Sequence, residues 1–292
     1  GGVRMRLRGT LQKSEQRRLS EVVKALDRMH KGNNNTCILL LSPENINIVA
    51  APGGINDAQA WATLRTLCPH GTGIFSQYRI ESQYDNRIGL EVEASLLVLA
   101  LKSAEAGEQT TIKLRNRDGH ALLSFEIITQ STPMMTVIQD VPIRVLSAHQ
   151  IDSVQEPVAD SPTVRLMSPP IKSLSTVVER LKSLHDRILL RGNMNGELEI
   201  GVTTDMVFMT NYWKDLPSPT IDGEDPQPRD SSKRAEAHVD AATLSKVFTA
   251  HALKPSQAIC CMMDHGTQRL VVWLLFMGAS DCVTYYLPVV DA

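Results

Sequence analysis

The sequence predicts a two-domain α+β protein in which one set of helices and antiparallel strands is used twice. Three observations carry this. The chain has 292 residues, 42% hydrophobic and 21% charged, a globular composition with length for about two domains. Residues 13–31 (KSEQRRLSEVVKALDRMHK) place Leu19, Val22, Val23, Leu26 and Met29 on one stripe at helical spacing. The order long helix, two strands, further strands, short helix and closing strands then recurs after roughly 150 residues.

In chain order, residues 3–9 (VRMRLRG) alternate apolar and basic side chains and read as an opening strand. The long helix follows and stops at Gly32 and Asn33–Asn35, residues suited to helix ends. Thr36–Leu41 and Asn45–Ala51 read as strands about a Ser42-Pro43-Glu44 turn. A Pro- and Gly-bearing loop, a strand at Ala58–Leu64 and a second loop at Cys68–Gly73 come next. Phe75–Ile80 and Arg87–Val92 are strands, the second with Ile88, Leu90 and Val92 on one side. Ala94–Glu105 is a largely apolar helix. Thr110–Leu114 and Ala121–Ile128 form a hairpin, with Asp118-Gly119 as its turn signal. Thr136–Leu146 is a strand containing Pro142; proline has no N–H for a ladder and belongs at an edge or bulge.

From Ser147 to Pro170 the composition turns to Gln, Asp, Pro and Ser, which reads as an extended linker ending in a short strand at Val164–Met167. The expected division is an N-terminal domain 1–146, a connector 147–163 and a C-terminal domain 164–292. In the second half, Ile171–His185 is an amphipathic helix with Leu174, Val177, Val178, Leu181 and Leu184 inward. Arg187–Arg191, Glu197–Val202 and Asp205–Trp213 are strands, and Lys214–Arg234 is a polar surface loop. A strand at Ala235–Asp240 and a short helix at Ala241–Leu253 follow. Ala258–Met263, Gln268–Phe276 and Asp281–Pro288 close the sheet. Trp61, Trp213 and Trp273 all fall on strands and read as core or sheet face.

Net charge is −2 and the isoelectric point near 6.5, which disfavours a simple basic nucleic-acid-binding domain. Any positive surface must be local. On the long helix Lys13, Arg17, Lys24, Arg28 and Lys31 fall within an arc of roughly 60° opposite the apolar stripe, with Glu21 alone intruding. A solvated basic face is the simpler reading of one such helix. A stripe presented to a polyanion is the sharper one. Aromatic content of 4% argues against recognition by base stacking.

Catalytic signatures are missing from the sequence: it has no phosphate-cradling G-x-x-x-x-G-K-S/T, no G-x-G-x-x-G, no G-x-S-x-G and no H-E-x-x-H. His70-Gly71-Thr72-Gly73 reads as a glycine-rich turn and Asp264-His265-Gly266 as a hairpin turn. His238 and His251 flank the second short helix and read as half-buried. Cys37, Cys68, Cys260, Cys261 and Cys282 form no C-x-x-C pair and read as reduced, buried thiols of an intracellular protein. No metal and no cofactor is expected. Neither a signal peptide nor a bilayer-spanning run is expected, and Gly1–Arg4 reads as preceding a natural start at Met5. Asn34-Asn35-Thr36 fits the glycosylation pattern and reads as a plain loop.

Several short motifs stand in a telling order: Asp140-Val141-Pro142-Ile143-Arg144-Val145, Val177-Val178-Glu179-Arg180-Leu181-Lys182, Gly196-Glu197-Leu198-Glu199-Ile200, Lys214-Asp215-Leu216, Ala235-Glu236-Ala237-His238-Val239-Asp240 and Tyr286-Leu287-Pro288. Through them the chain from Met5 to Pro288 resembles the Hus-type subunit of the heterotrimeric DNA-damage checkpoint clamp, the nine-one-one ring, a relative of the replication sliding clamp. The resemblance implies the sliding-clamp fold: two similar domains, each with two helices on antiparallel sheets. It implies a non-catalytic, nuclear subunit, with a cytoplasmic pool allowed, joined head to tail with two Rad-type clamp subunits. An ATP-driven loader would place the ring on double-stranded DNA without regard to sequence. Checkpoint and repair enzymes would dock near the connector.

The residues follow from the same resemblance. Arg17, Arg18 and Lys24 match basic positions of the first clamp helix, and Lys102 one on the second. With Lys13, Arg28, Lys172 and Lys246 they form the expected DNA-facing set. The second half supplies less: Lys172, Thr176, Glu179 and Ser183 would face the bore, and Lys246 is the only lysine of the last helix. The bore should therefore be lopsided in charge. Subunit edges are expected at Thr136–Arg144, carrying Ile138, Asp140, Pro142 and Arg144, and at Asp205–Asn211, carrying Val207 and Met209. Two other readings stand beside this one: a homotrimeric replication clamp of the same fold, and a hydrolase using His70 or His265.

Overall fold

A computed structural model describes residues 5–29, 35–50, 58–67, 73–131, 133–157, 161–219, 231–263, 269–276 and 281–290. The chain divides into two units. One comprises Gly1–Ala51, Trp61–Glu156 and Gly278–Val283; the other comprises Pro52–Ala60, Pro157–Met277 and Thr284–Ala292.

The first unit runs β1 (Arg6–Leu11), α1 (Lys13–Asp27), β2 (Thr36–Leu41), β3 (Asn45–Ala50), β4 (Gln59–Arg65), β5 (Phe75–Glu81), β6 (Ile88–Glu93), α2 (Ala94–Glu105), β7 (Gln109–Arg117), β8 (His120–Ile128), β9 (Thr136–Val145) and α3 (Ala148–Ser153). Its strands lie in the order β4-β3-β2-β6-β9-β8-β7-β1-β5. Helices α1 and α2 pack on each other, and their Leu19, Val23, Leu97 and Leu101 are buried with Leu39, Leu90 and Phe125 of the strands. The β7–β8 hairpin turns on Asp118 (φ 54°) and Gly119 (φ 84°), the pair of left-handed residues that a tight hairpin of right-twisted strands requires.

The second unit runs β10 (Val164–Met167), α4 (Ile171–Lys182), β11 (Arg187–Asn193), β12 (Leu198–Thr203), β13 (Phe208–Trp213), β14 (Arg234–Asp240), α5 (Ala241–Phe248), a 3-10 turn (Thr249–Leu253), β15 (Gln257–Met262), β16 (Arg269–Leu275) and β17 (Cys282–Pro288). Two strand orders repeat the first unit: β14-β11-β12-β13 matches β6-β2-β3-β4, and β17-β16-β15-β10 matches β9-β8-β7-β1. Helix α4 takes the place of α1, and α5 that of α2. Leu174, Val178, Leu181, Leu244 and Phe248 fill the helix side of this core with no exposure. The repeated order of elements expected from the sequence is therefore a repeated topology.

Several expectations need correction. The stretch after Ser147 is not extended throughout: it opens with α3, held by a capping box in which Ser147 Oγ accepts from Gln150 N–H and the Gln150 side chain accepts from Ser147 N–H. Ile151 of α3 is buried against Gly89, where a side chain would leave no room. Leu184 does not point inward; the helix ends at Lys182 and Leu184 sits in the following turn, 42% exposed. The strand expected from Asp205 starts at Phe208, because Thr204 Oγ1 accepts from the N–H groups of Met206 and Val207 and shapes a turn there. Helix α5 gives way to 3-10 geometry at Thr249. His251 is exposed, not half-buried. Cys37 and Cys260 are buried free thiols, the pKa of each pushed up to about 12 by burial. Cys68, His70, Asp264 and His265 lie outside the described residues, as do Gly1–Arg4 and most of the 214–234 loop.

Candidate nucleic-acid interface

Helix α1 buries one side and exposes the other for a simple reason of period. Leu19, Val22, Val23 and Leu26 face the core, and Lys13, Arg17 and Arg28 remain exposed on the far side. Lys31 lies outside the described residues. The structure treats the remaining basic residues of this face differently from one another.

Arg17 and Lys102 are exposed, and neither has a hydrogen-bond or ion-pair partner among the described residues. Lys13 plays a structural part. Its ammonium donates to the carbonyl of Glu105, the last residue of α2, and to that of Gly107 just beyond the helix. Lys24 is held by two carboxylates, Glu21 at 2.8 Å and Glu105 at 3.5 Å. The Glu21 hydrogen bond leads the causes that raise the Lys24 pKa. Arg28 is exposed at the helix C-cap.

Arg18 does not belong with this group. It follows Arg17 and so lies roughly 100° around the helix. Its guanidinium donates to Glu15 at 2.9 Å and to the carboxylate of Asp281, whose side chain is 1% exposed. Burial raises the Glu15 pKa more than Arg18 lowers it. Arg18 thus serves the packing of its unit.

In the second unit Lys172 is exposed on α4 without a side-chain partner among the described residues, and Lys246 on α5 is half-buried. Arg180 is absent from the expected set, although it lies on the same exposed side of α4 and likewise has no side-chain partner there. Its angular position is readable from the sequence. Glu179 accepts from Ser245 of α5 and from Lys182 at 3.4 Å, with the Ser245 hydrogen bond as the main cause of its lowered pKa. Glu21 and Lys24 occupy the same two positions in α1 that Glu179 and Lys182 occupy in α4. Each unit therefore carries a Glu-x-x-Lys clip from its first helix to its second.

The two expected edges differ in structure. Along Thr136–Pro142, β9 pairs with β8; on its other side β6 joins only at Ile143–Val145. Among the described residues the strand is thus open on its β6 side from Thr136 to Pro142 and on its β8 side from Ile143 to Val145, and Pro142 stands where the pairing changes sides. Ile138 is 55% exposed, Asp140 and Pro142 are exposed, and Arg144 is exposed while donating to Glu91. Met134 and Met135 continue the exposed apolar surface. In the second unit β13 is the terminal strand of β13-β12-β11-β14. Met206, Val207, Phe208 and Tyr212 are exposed there, and Met209 is half-buried.

Comparison with known proteins agrees with this architecture. The human checkpoint protein HUS1 is 29% identical over 238 residues, covering 79% of this chain and 82% of that protein. Checkpoint protein hus1 of Schizosaccharomyces pombe is 29% identical over 282 residues, covering 92% and 94%. Among solved structures, PCNA from Thermococcus kodakaraensis matches with a TM-score of 0.68 at 14% identity, covering 97% of this chain and all of that one (100%). PCNA from Entamoeba histolytica gives the same TM-score, 0.68, at 13% identity, covering 98% and 99%. The fold is that of the sliding clamps. The family described as Hus1-like protein matches residues 5–291, and the chain belongs to that family.

Proposed function

We propose that this chain is a non-catalytic subunit of a checkpoint clamp, a scaffold that closes with two different clamp subunits around duplex DNA. The observation that carries the reading is the repeated clamp topology in a chain of the Hus1-like family. A ring of such units needs no sequence readout. Its helices need only meet phosphate with scattered positive charge, and topology holds the DNA. Arg17, Arg28, Lys102 and Lys172, joined by Arg180, supply such charge; Lys13 and Lys24 do so while also serving the structure. Arg18 drops out.

The open stretch of β9 and the terminal strand β13 are two different edges, each with exposed apolar side chains. A head-to-tail ring uses two different surfaces per subunit, so each edge takes its own neighbour. Action in the nucleus, placement by an ATP-driven loader and docking of repair enzymes near the connector follow from this assignment. The test is DNA binding by the assembled ring carrying Arg17→Glu and Lys102→Glu. Among the described residues these side chains have no partner to lose, so assembly and thermal stability stay as in the parent while binding weakens on all sequences alike. Unchanged binding at low salt contradicts the reading and leaves these helices as solvated faces.

A further inference from the structure

We infer that Glu105 and Glu21 are built-in competitors of phosphate: they occupy Lys24 in the unloaded subunit and set how weakly the ring holds DNA. The inference rests on the DNA-binding reading above. Three observations lead to it. Lys24 lies on the basic side of α1, yet its ammonium is taken by carboxylates from two helices, at 2.8 Å and 3.5 Å. All three side chains keep about a quarter of their surface in water, at 24%, 25% and 27%, so an incoming phosphate can reach the ammonium. The Glu-x-x-Lys clip recurs at the same helical positions in the second unit, where a hydroxyl, Ser245, replaces the second acid.

A phosphate oxygen and a carboxylate oxygen make the same charge-assisted hydrogen bond to an ammonium. A phosphate arriving at Lys24 therefore exchanges for Glu21 or Glu105 and adds little net attraction. Removing one acid loosens the hold on Lys24, which the other acid still contacts, so the ammonium neutralises more of a phosphate's charge and displaces counterions condensed on the DNA. Their release on binding then adds to affinity and steepens its salt dependence. A clamp must slide, and a basic face partly neutralised by its own acids keeps each contact weak. Glu105 serves twice, since its backbone carbonyl also takes the Lys13 ammonium.

The experiment uses the ring assembled with its two partner subunits and a labelled duplex of mixed sequence, titrated over a range of salt. Glu105→Gln and Glu21→Gln keep side-chain shape. Each is expected to bind several-fold more tightly at low salt, with a salt slope steeper by up to roughly 0.9, the limit for one phosphate fully gained. Adding Lys24→Met to Glu105→Gln should cancel the gain, which a general change of helix packing would not do. Arg17→Glu is the control for the underlying reading. If Arg17→Glu weakens binding while neither glutamine variant tightens it, the competitor role is wrong and the DNA-facing helix stands. If Arg17→Glu has no effect, the DNA-facing assignment fails and this inference with it.

Discussion

Arg18 donates to the carboxylate of Asp281, 263 residues further along the chain, and this bond ties α1 to the segment that leads into the last strand. The Asp281 side chain is 1% exposed, and Oδ1 also accepts from the backbone N–H of Arg65 at 2.9 Å. A buried carboxylate that loses its nearer cation is costly, and without Arg18 the Asp281 carboxylate keeps the more distant Arg65 guanidinium at 4.0 Å. Arg18→Ala should therefore lower stability by about 1–3 kcal/mol, less than for a fully buried pair because Arg18 keeps some contact with water. Denaturant unfolding measures it. Arg17→Ala, one residue away, should cost nothing measurable, and equal effects of the two would refute the division of labour on this helix.

Acid should act through Glu236. Its pKa is lowered from the ordinary 4.5 mainly by the Arg191 hydrogen bond, which is 2.7 Å long. A carboxylate with a depressed pKa in the folded state contributes stability that is fully present above 4.5 and is lost as pH falls through the folded value. The stability gap between the parent and Glu236→Gln should be constant at neutral pH and close below that point. The side chain is 44% exposed, so the gap is small, and added salt should narrow it. Unfolding curves at a series of pH values check the sign: a gap that widens in acid contradicts it.

Gly89 fixes the start of the connector. A Cβ there would lie 2.6 Å from Ile151 Cγ1 and 3.1 Å from Leu146 Cβ. An ion pair between Arg87 and Asp152, at 3.2 Å, adds to the attachment. Gly89→Val should displace α3 and speed proteolytic cleavage at Ser147–Glu156, while the β6–β2 pairing survives. Cleavage at the parent's rate would show that α3 is held by other contacts.

Much of this architecture is legible in the sequence because it rests on local signals. Helix α2 at Ala94–Glu105 and strands β2 and β10 match their expected spans, since apolar runs there end at clear breaks. Helix α3 is hidden by its polar composition, which outweighs the capping signature that Ser147 and Gln150 form. The position of Arg18 off the basic side follows from the helical angle alone. Lys24 is different. Glu21 is three residues away and visible, but Glu105 is on another helix, and only the packing of α1 on α2 brings it near. The half-open side of β9 is likewise a matter of which strand lies next to it.

The two edges should fail separately. Ile138→Asp on β9 and Phe208→Asp on β13 each place a charge on an exposed apolar position, 55% and 71% exposed. Neither should destabilise the isolated chain. Each should abolish binding to one partner subunit and spare the other, as pull-down with each partner separately would read. Loss of both partners by one variant, or of neither by both, would contradict the edge assignment.

The native mass of the assembly formed when this chain is co-expressed with two different clamp subunits decides whether it is one subunit of a heterotrimeric ring. The expected mass is one copy of each of the three chains, with this chain alone forming no trimer. A stable trimer of this chain by itself, indifferent to the other two, would contradict the claim and point to a homotrimeric clamp.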